Sequence, residues 1–210
     1  MKPRFLSEFL GMPLDKYMEE ELFKPLKMNK TWFYPPETVF SRIPVATYPS
    51  NPDKPCIEKT LVILPIDSQY MFEKNKTYFS AGRGLHCTAY DYFRFAQMML
   101  NKGELEGGRV MSSKAVELMI QPSSDKFKIS GLTGNYWGYG VDVQLSDTPG
   151  SSGDWLGDKD SYDWRGIWRT LWNNDPNDDT VVLIMTQVGD DGAFPYLYLI
   201  NTLDDHAVLD

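Results

Sequence analysis

Residues 161–187, SYDWRGIWRTLWNNDPNDDTVVLIMTQ, hold two extended apolar stretches around the polar run NNDPNDD. Aromatic and β-branched residues on both sides of an Asn/Asp/Pro turn predict a β-hairpin, with strands over 164–172 and 180–188. A lone hairpin is marginal in water, so this feature commits the chain to a larger antiparallel sheet or to a helix on its apolar face. The first strand is unusual. It carries Trp164, Trp168 and Trp172, with Arg165 and Arg169 between them. On a strand, 164, 166 and 168 share one face and 165, 167 and 169 the other.

The neighbouring sequence supplies partners. WGYGVDVQL (137–145) alternates like a further strand, 146–160 is a Ser/Gly/Asp-rich loop, and FPYLYLINTL (194–203) reads as a terminal helix. Upstream, Phe5, Leu6, Phe9 and Leu10 fall on one helical face. The run GMP at 11–13 breaks that helix, and a second follows from about 14 to 23, ended by Pro25. Residues 29–80 carry Pro35, Pro36, Pro44, Pro49, Pro52, Pro55 and Pro65. No long helix fits there, only loops with short strands or hairpins.

After the Gly-bearing loop 80–87, Thr88 is a good N-cap, with Asp91 three residues on in place of the usual capping-box Glu. Phe95, Met98, Met99 and Leu100 form the buried face of that helix, and Gly103 closes it. A short strand-like piece (GGRVM) then leads to Ser112 or Ser113 as the next cap and a helix to about Ile120. Helices first and strands later predict an α+β (α/β-type sandwich) fold: an antiparallel β-sheet flanked by helices. With 210 residues, one domain suffices, with helices and loops over 1–120 and sheet strands with a terminal helix over 121–210.

The net charge of −8 argues against nucleic acid, because phosphate binding needs a basic surface. Cys56 and Cys87 make neither a disulfide framework nor a zinc site. No apolar run approaches the ~20 residues needed to span a bilayer. The start, MKPRFLSEFLGM, is basic, but Ser7 and Glu8 interrupt its apolar run, so it reads as helix rather than signal peptide.

Candidate chemistry is sparse. Gly-x-Ser-x-Gly is absent, since GSSG at 150–153 has the wrong spacing. Ser-x-x-Lys occurs once, at Ser123–Lys126, in a polar loop after Pro122 rather than on a helix that would bring amine to hydroxyl. The two histidines, His86 and His206, read first as structural or surface residues, and no His/Cys/Asp cluster has ligand spacing. SAGRGL (80–85) lacks the completing Lys-Ser/Thr of a phosphate loop and reads as a tight, exposed turn lining a cleft. Trp137, Tyr139, Trp155, Tyr162, Trp164, Trp168 and Trp172 read first as core and rim packing. Beside a Gly-rich loop they also suit an apolar acyl or aryl pocket.

Three stretches in order carry a resemblance: GMPLDKYMEEELFKPLKMNKTWF (11–33), FSAGRGLHCTAYDYFRFAQMMLNKGELEGGRVMSSKAVELM (79–119), and WGYGVDV followed by WRGIWRTLWNNDPNDDTVVLIMTQ. Together they resemble the C-terminal part of the serine β-lactamase / penicillin-binding-protein-like family, the branch with class C β-lactamases and related esterases. That family uses Ser-x-x-Lys as nucleophile and base, a Tyr-x-Asn or Tyr-x-Ser element, and Lys-Thr-Gly, His-x-Gly or Trp-Gly-Gly on a sheet strand. The third element matches Trp164-Arg165-Gly166.

The resemblance implies Trp164, Gly166, Gly82 and Gly84 as substrate-binding positions. It also implies Ile167 as donor of a backbone N–H to an oxyanion hole, where losing one donor typically costs ~10²–10³ in rate. The first two elements have no match and lie, in the family, N-terminal to the segment that Met1–Leu10 resembles. The resemblance therefore implies a truncated, incomplete β-lactamase/transpeptidase-like fold, without nucleophile or base and inactive alone. The intact enzyme would hydrolyse a small-molecule ester, amide or β-lactam through an acyl-enzyme, with no cofactor. Trp in place of Lys tilts the substrate toward esters. Family members are often periplasmic or secreted. Arg165, Arg169 and Arg83 stand where the family usually has small residues or glycine. Two other readings stay open: a non-catalytic binding module on the same scaffold, and a new nucleophile at Ser123 or Ser80.

Overall fold

A computed structural model of the chain describes residues 8–49, 61–63, 79–80, 82, 84–122, 135–144, 159–166 and 168–189. The expected helix over 194–203, the loop 146–160 apart from Lys159 and Asp160, and Ser123–Lys126, Cys56, His206, Trp155, Arg83 and Ile167 lie outside these residues.

The N-terminal helical segment is α1 (Leu14–Met18), which widens into a π-helical turn over Glu19–Phe23. It ends ahead of Pro25, as the sequence predicts. Gly11 closes the preceding helical residues 8–10 with φ +68°, a conformation glycine adopts without steric cost. The proline-rich region forms a 3₁₀ turn over Glu37–Arg42 and a two-stranded antiparallel ladder, β1 (Thr47–Pro49) with β2 (Leu61–Ile63).

The longest described helix is α2 (Ala89–Leu100). Thr88 caps it, its hydroxyl accepting from Asp91 N–H at 3.2 Å. The Asp91 carboxylate does not return to complete a capping box. It reaches instead to the segment of Lys30 and Thr31, because a buried carboxylate there finds two donors from a distant stretch of chain. After α2, Gly103 (φ +93°) makes the turn into the small ladder β3 (Glu104–Leu105) and β4 (Gly108–Arg109). A Cβ on Gly103 would sit 2.2 Å from Met111 O, so only glycine fits. Ser112 caps α3 (Ser113–Ile120), accepting from Ala115 N–H.

The sheet is a five-stranded antiparallel meander in the order β5 (Asn135–Trp137), β6 (Asp142–Gln144), β7 (Tyr162–Arg165), β8 (Leu171–Asp175), β9 (Thr180–Ile184). Three strand boundaries differ from the sequence reading, the simplest being β9, which ends at Ile184 rather than 188. The stretch 137–145 is not one strand: β5 and β6 form a hairpin around Gly138–Val141, with Gly138 N–H on Val141 O and Gly140 at φ +87°. The stretch 164–172 is not one strand either. Gly166 N–H bonds Thr170 O, Arg169 N–H bonds Gly166 O, and Arg169 takes φ +58°, so the chain turns between β7 and β8. The bulky residues around Gly166 disguised that turn, and the alternation of faces over 166–169 does not hold. The turn around NNDPNDD is as expected, with Asp175 Oδ1 accepting from Asn177 N–H at 2.8 Å.

Register sorts the sheet into two faces. Val143, Tyr162, Asn174 and Val181 align across β6–β9, as do Asp142, Asp163, Asn173 and Val182. The first row meets α2, which packs on β8 and β9. Trp172 is the centre of that contact, edge-on to Tyr92, Phe95 and Tyr162 at 5.6–6.0 Å. Each such pair adds about 0.5–1.5 kcal/mol beyond its buried area. Met98, Met99, Val116, Val141 and Leu26 complete the core. A polar node sits inside it. Asn174 donates to Ala96 O (2.8 Å) and Tyr162 Oη (3.0 Å), and accepts from Trp172 Nε1 (2.7 Å).

Candidate functional site

Trp164 stands at the end of β7. Tyr162, two residues earlier on the same face, is 1% exposed, whereas Trp164 is 38% exposed. The strand thus carries its apolar face from core to rim. There Trp164 meets Trp137 of β5, with ring centroids 4.4 Å apart and planes tilted by 48°. Tyr139, in the turn after β5, is also exposed. The sheet edge therefore offers aromatic surface to a ligand.

Arg165 projects to the opposite face, where its Nη2 lies 4.0 Å from Asp142 Oδ2. It leaves the Trp164 face clear. Gly166 opens the turn, and a Cβ there would stand 2.4 Å from Thr170 Oγ1. The turn is held from β9's end: Thr186 Oγ1 donates toward Trp168 O (2.5 Å), with Arg169 O at 3.1 Å. The Arg169 side chain is buried. Ile167, expected as an oxyanion donor, falls between described residues.

The Gly-bearing loop is held locally. Gly84 is buried, its N–H bonded to Ser80 O at 3.0 Å. A Cβ at Gly84 would lie 2.6 Å from that oxygen and 3.1 Å from the Phe33 ring. Gly82 is exposed, with open space where a side chain would go. His86 and Trp32 exchange backbone hydrogen bonds at 2.8 and 2.9 Å, which pins the loop's end to residues 32–33. Phe79 closes the other side edge-on to Phe33 and Tyr34. Contacts of this loop among the described residues thus include residues 32–34, and Gly84 packs closely there.

The remaining candidates are quiet. Burial lowers the His86 pKa, so its imidazole is neutral at neutral pH, and its buried Nδ1 has no hydrogen-bond partner. Burial, reinforced by Asp91, pushes the Cys87 thiol up to about 11, which leaves little thiolate. Ser80 is buried beneath the loop. Among the described residues no group of three or more His, Cys, Asp or Glu could hold a metal ion, and no helix is long and apolar enough to cross a membrane.

An antiparallel sheet backed by a helix is the fold the sequence resemblance implied. The Beta-lactamase family model matches residues 5–199. This chain belongs to the beta-lactamase family. Protein Rv1367c of Mycobacterium tuberculosis (strain ATCC 25618 / H37Rv) is 32% identical over 115 residues, which are 51% of this chain and 29% of that protein.

Solved structures share the fold at low identity. The LovD6 mutant of simvastatin synthase (LovD) from Aspergillus terreus aligns with TM-score 0.72 and 18% identity over 96% of this chain and 53% of its own. EstCE1, a hydrolase with promiscuous acyltransferase activity, aligns with TM-score 0.71 and 18% identity over 95% and 52%. A beta-lactamase (Mb2281c) from Mycobacterium bovis aligns with TM-score 0.61 and 14% identity over 98% and 61%. This family member therefore spans about half the length of the first two solved structures and under a third of Rv1367c.

Two features of the region escaped the sequence reading. One is the Trp137–Trp164 contact, which depends on a hairpin hidden inside 137–145. The other is the buried Asp142–Asp163 pair. Its only sequence signal is an acid flanked by strand formers in VDVQ and in YDWR.

Proposed function

We propose that these 210 residues form one wall of an acyl-transfer site, in a single domain. The strand end Trp164-Arg165-Gly166 would stand beside the reacting carbonyl, and the Ile167 N–H would serve its developing oxyanion. Serine attack, oxyanion stabilisation and attack by water on the acyl-enzyme would complete hydrolysis of a small-molecule ester, amide or β-lactam. The observation that carries this reading is the half-exposed Trp164, which leaves the core just where the chain turns at Gly166, while Arg165 points away. The aromatic rim favours an apolar acyl or aryl group, and so an ester. The nucleophile and base are not supplied by this stretch, and the chain alone is inactive.

Intact-mass analysis after exposure to a fluorophosphonate probe tests this. A folded sample, shown so by near-UV circular dichroism, is expected to stay unmodified. A stoichiometric adduct on one serine would overturn the incomplete-site reading and name the nucleophile.

A further inference from the structure

Asp142 and Asp163 face one another across β6 and β7, on the side of the sheet turned from α2. They are 0% and 5% exposed. Directly opposed residues in an antiparallel pair hold their Cβ atoms about 4.5–5.5 Å apart, and like charges so placed are destabilising. Beyond them in the same row come Asn173 of β8 and Val182 of β9, which bring no charge. Asp175, further along that face of β8, is engaged by the Asn177 and Asp178 N–H groups at the turn. Among the described residues, the charged groups facing Asp163 are therefore Asp142 from β6 and Arg165 from its own strand. The Arg165 guanidinium is set toward Asp142. Asp163 Oδ1 is buried and accepts no hydrogen bond. An ionised carboxylate there would hold that oxygen away from both solvent and a donor.

We propose that Asp163 keeps its proton at neutral pH, and that the Asp142–Asp163 pair, with Arg165 on Asp142, is a proton-held latch between β6 and β7. Burial and then the facing Asp142 raise the Asp163 carboxyl well above its ordinary range, against the smaller pull of Arg165. The latch matters because the β6–β7 ladder is short: it is in register at Asp142–Asp163 and Val143–Tyr162, and continues through Gln144 N–H on Ser161 O and Asp160 N–H on Gln144 O. Ionising Asp163 places a second negative charge inside that ladder. Trp137 is paired with Asp142 and Trp164 follows Asp163, so the aromatic contact at the rim lies at the end that opens.

The direction with pH follows from linkage. An acid whose pKa is raised by folding contributes its full stability below the ordinary value of 3.8, and loses it as pH rises toward the folded value. Within that window the folded-to-unfolded ratio falls about tenfold per pH unit from this group alone. Asp163→Asn keeps the shape and removes the dependence.

Infrared difference spectroscopy of the full chain labelled with carboxyl-¹³C aspartate tests this directly. The carbonyl stretch of a protonated, labelled carboxyl is expected at neutral pH in the wild type and not in Asp163→Asn. In parallel, urea unfolding followed by tryptophan fluorescence should show the wild-type midpoint falling with rising pH relative to Asp163→Asn. No protonated carboxyl in the folded wild type, or parallel pH profiles for the two proteins, would overturn the latch. If Asp163→Asn does not fold, the wild-type spectrum decides by itself.

Discussion

The Asp91 carboxylate accepts a hydrogen bond from the backbone N–H of Lys30 at 2.6 Å, and a second from Thr31 Oγ1 at 2.9 Å, across some sixty residues of chain. One side chain thus anchors the start of α2 to the segment leading into the Trp32–His86 bridge. Asp91→Ala strands a buried hydroxyl and a backbone donor and should cost about 3 kcal/mol, read by chemical denaturation. Asp91→Asn keeps an acceptor and should cost about 1 kcal/mol. Equal losses would show that the anchoring role is wrong.

Asn174 ties helix to sheet from inside the core. Asn174→Ala leaves the Trp172 Nε1–H without its acceptor and opens a small void, for an expected loss of about 2–4 kcal/mol. The donor from Asn174 opposes the burial that lifts the Tyr162 hydroxyl up to about 12. The same substitution should therefore raise the Tyr162 titration further, as followed by ultraviolet difference spectra.

Gly82 and Gly84 should part company. Gly82→Ala meets open space and should leave the thermal midpoint unchanged within error. Gly84→Ala drives a methyl group into the Ser80 carbonyl and the Phe33 ring, and should cost about 2–3 kcal/mol through overpacking. A paired thermal-denaturation experiment reads both, and the ordering is the test.

Glu106 bridges Arg94 (3.0 Å) and Lys27 (2.6 Å). Hydrogen bonds from Arg94 and then Lys27 hold its carboxyl down to about 2, from an ordinary 4.5. A depressed acid contributes above its unfolded value and loses that contribution as pH falls through the folded one. The wild type should therefore lose stability relative to Glu106→Gln between 4.5 and about 2. A wild-type midpoint that tracks the variant across this range would rule the bridge out as a contributor.

What the sequence by itself determined was local. The Thr88 cap, the Gly103 stop, the Ser112 cap and the turn at Asp175 are each written in a few adjacent residues, because capping and turn hydrogen bonds span three or four positions. The order of three such stretches was enough to indicate the beta-lactamase family and an antiparallel sheet flanked by helices. Tertiary structure decided the rest. Gly166 and Gly138 turn the chain inside runs whose bulky residues read as continuous strand, and only cross-strand pairing reveals the ends. Asp91 looked like half of a capping box and became a long-range anchor, since its strongest donors come from residues 30 and 31. Strand alternation set Arg165 on the face opposite Trp164, and only the pairing of β6 with β7 brought Asp142 within reach of it there. The Asp142–Asp163 pair exists only through register: two acids twenty-one residues apart become buried neighbours when β6 and β7 pair.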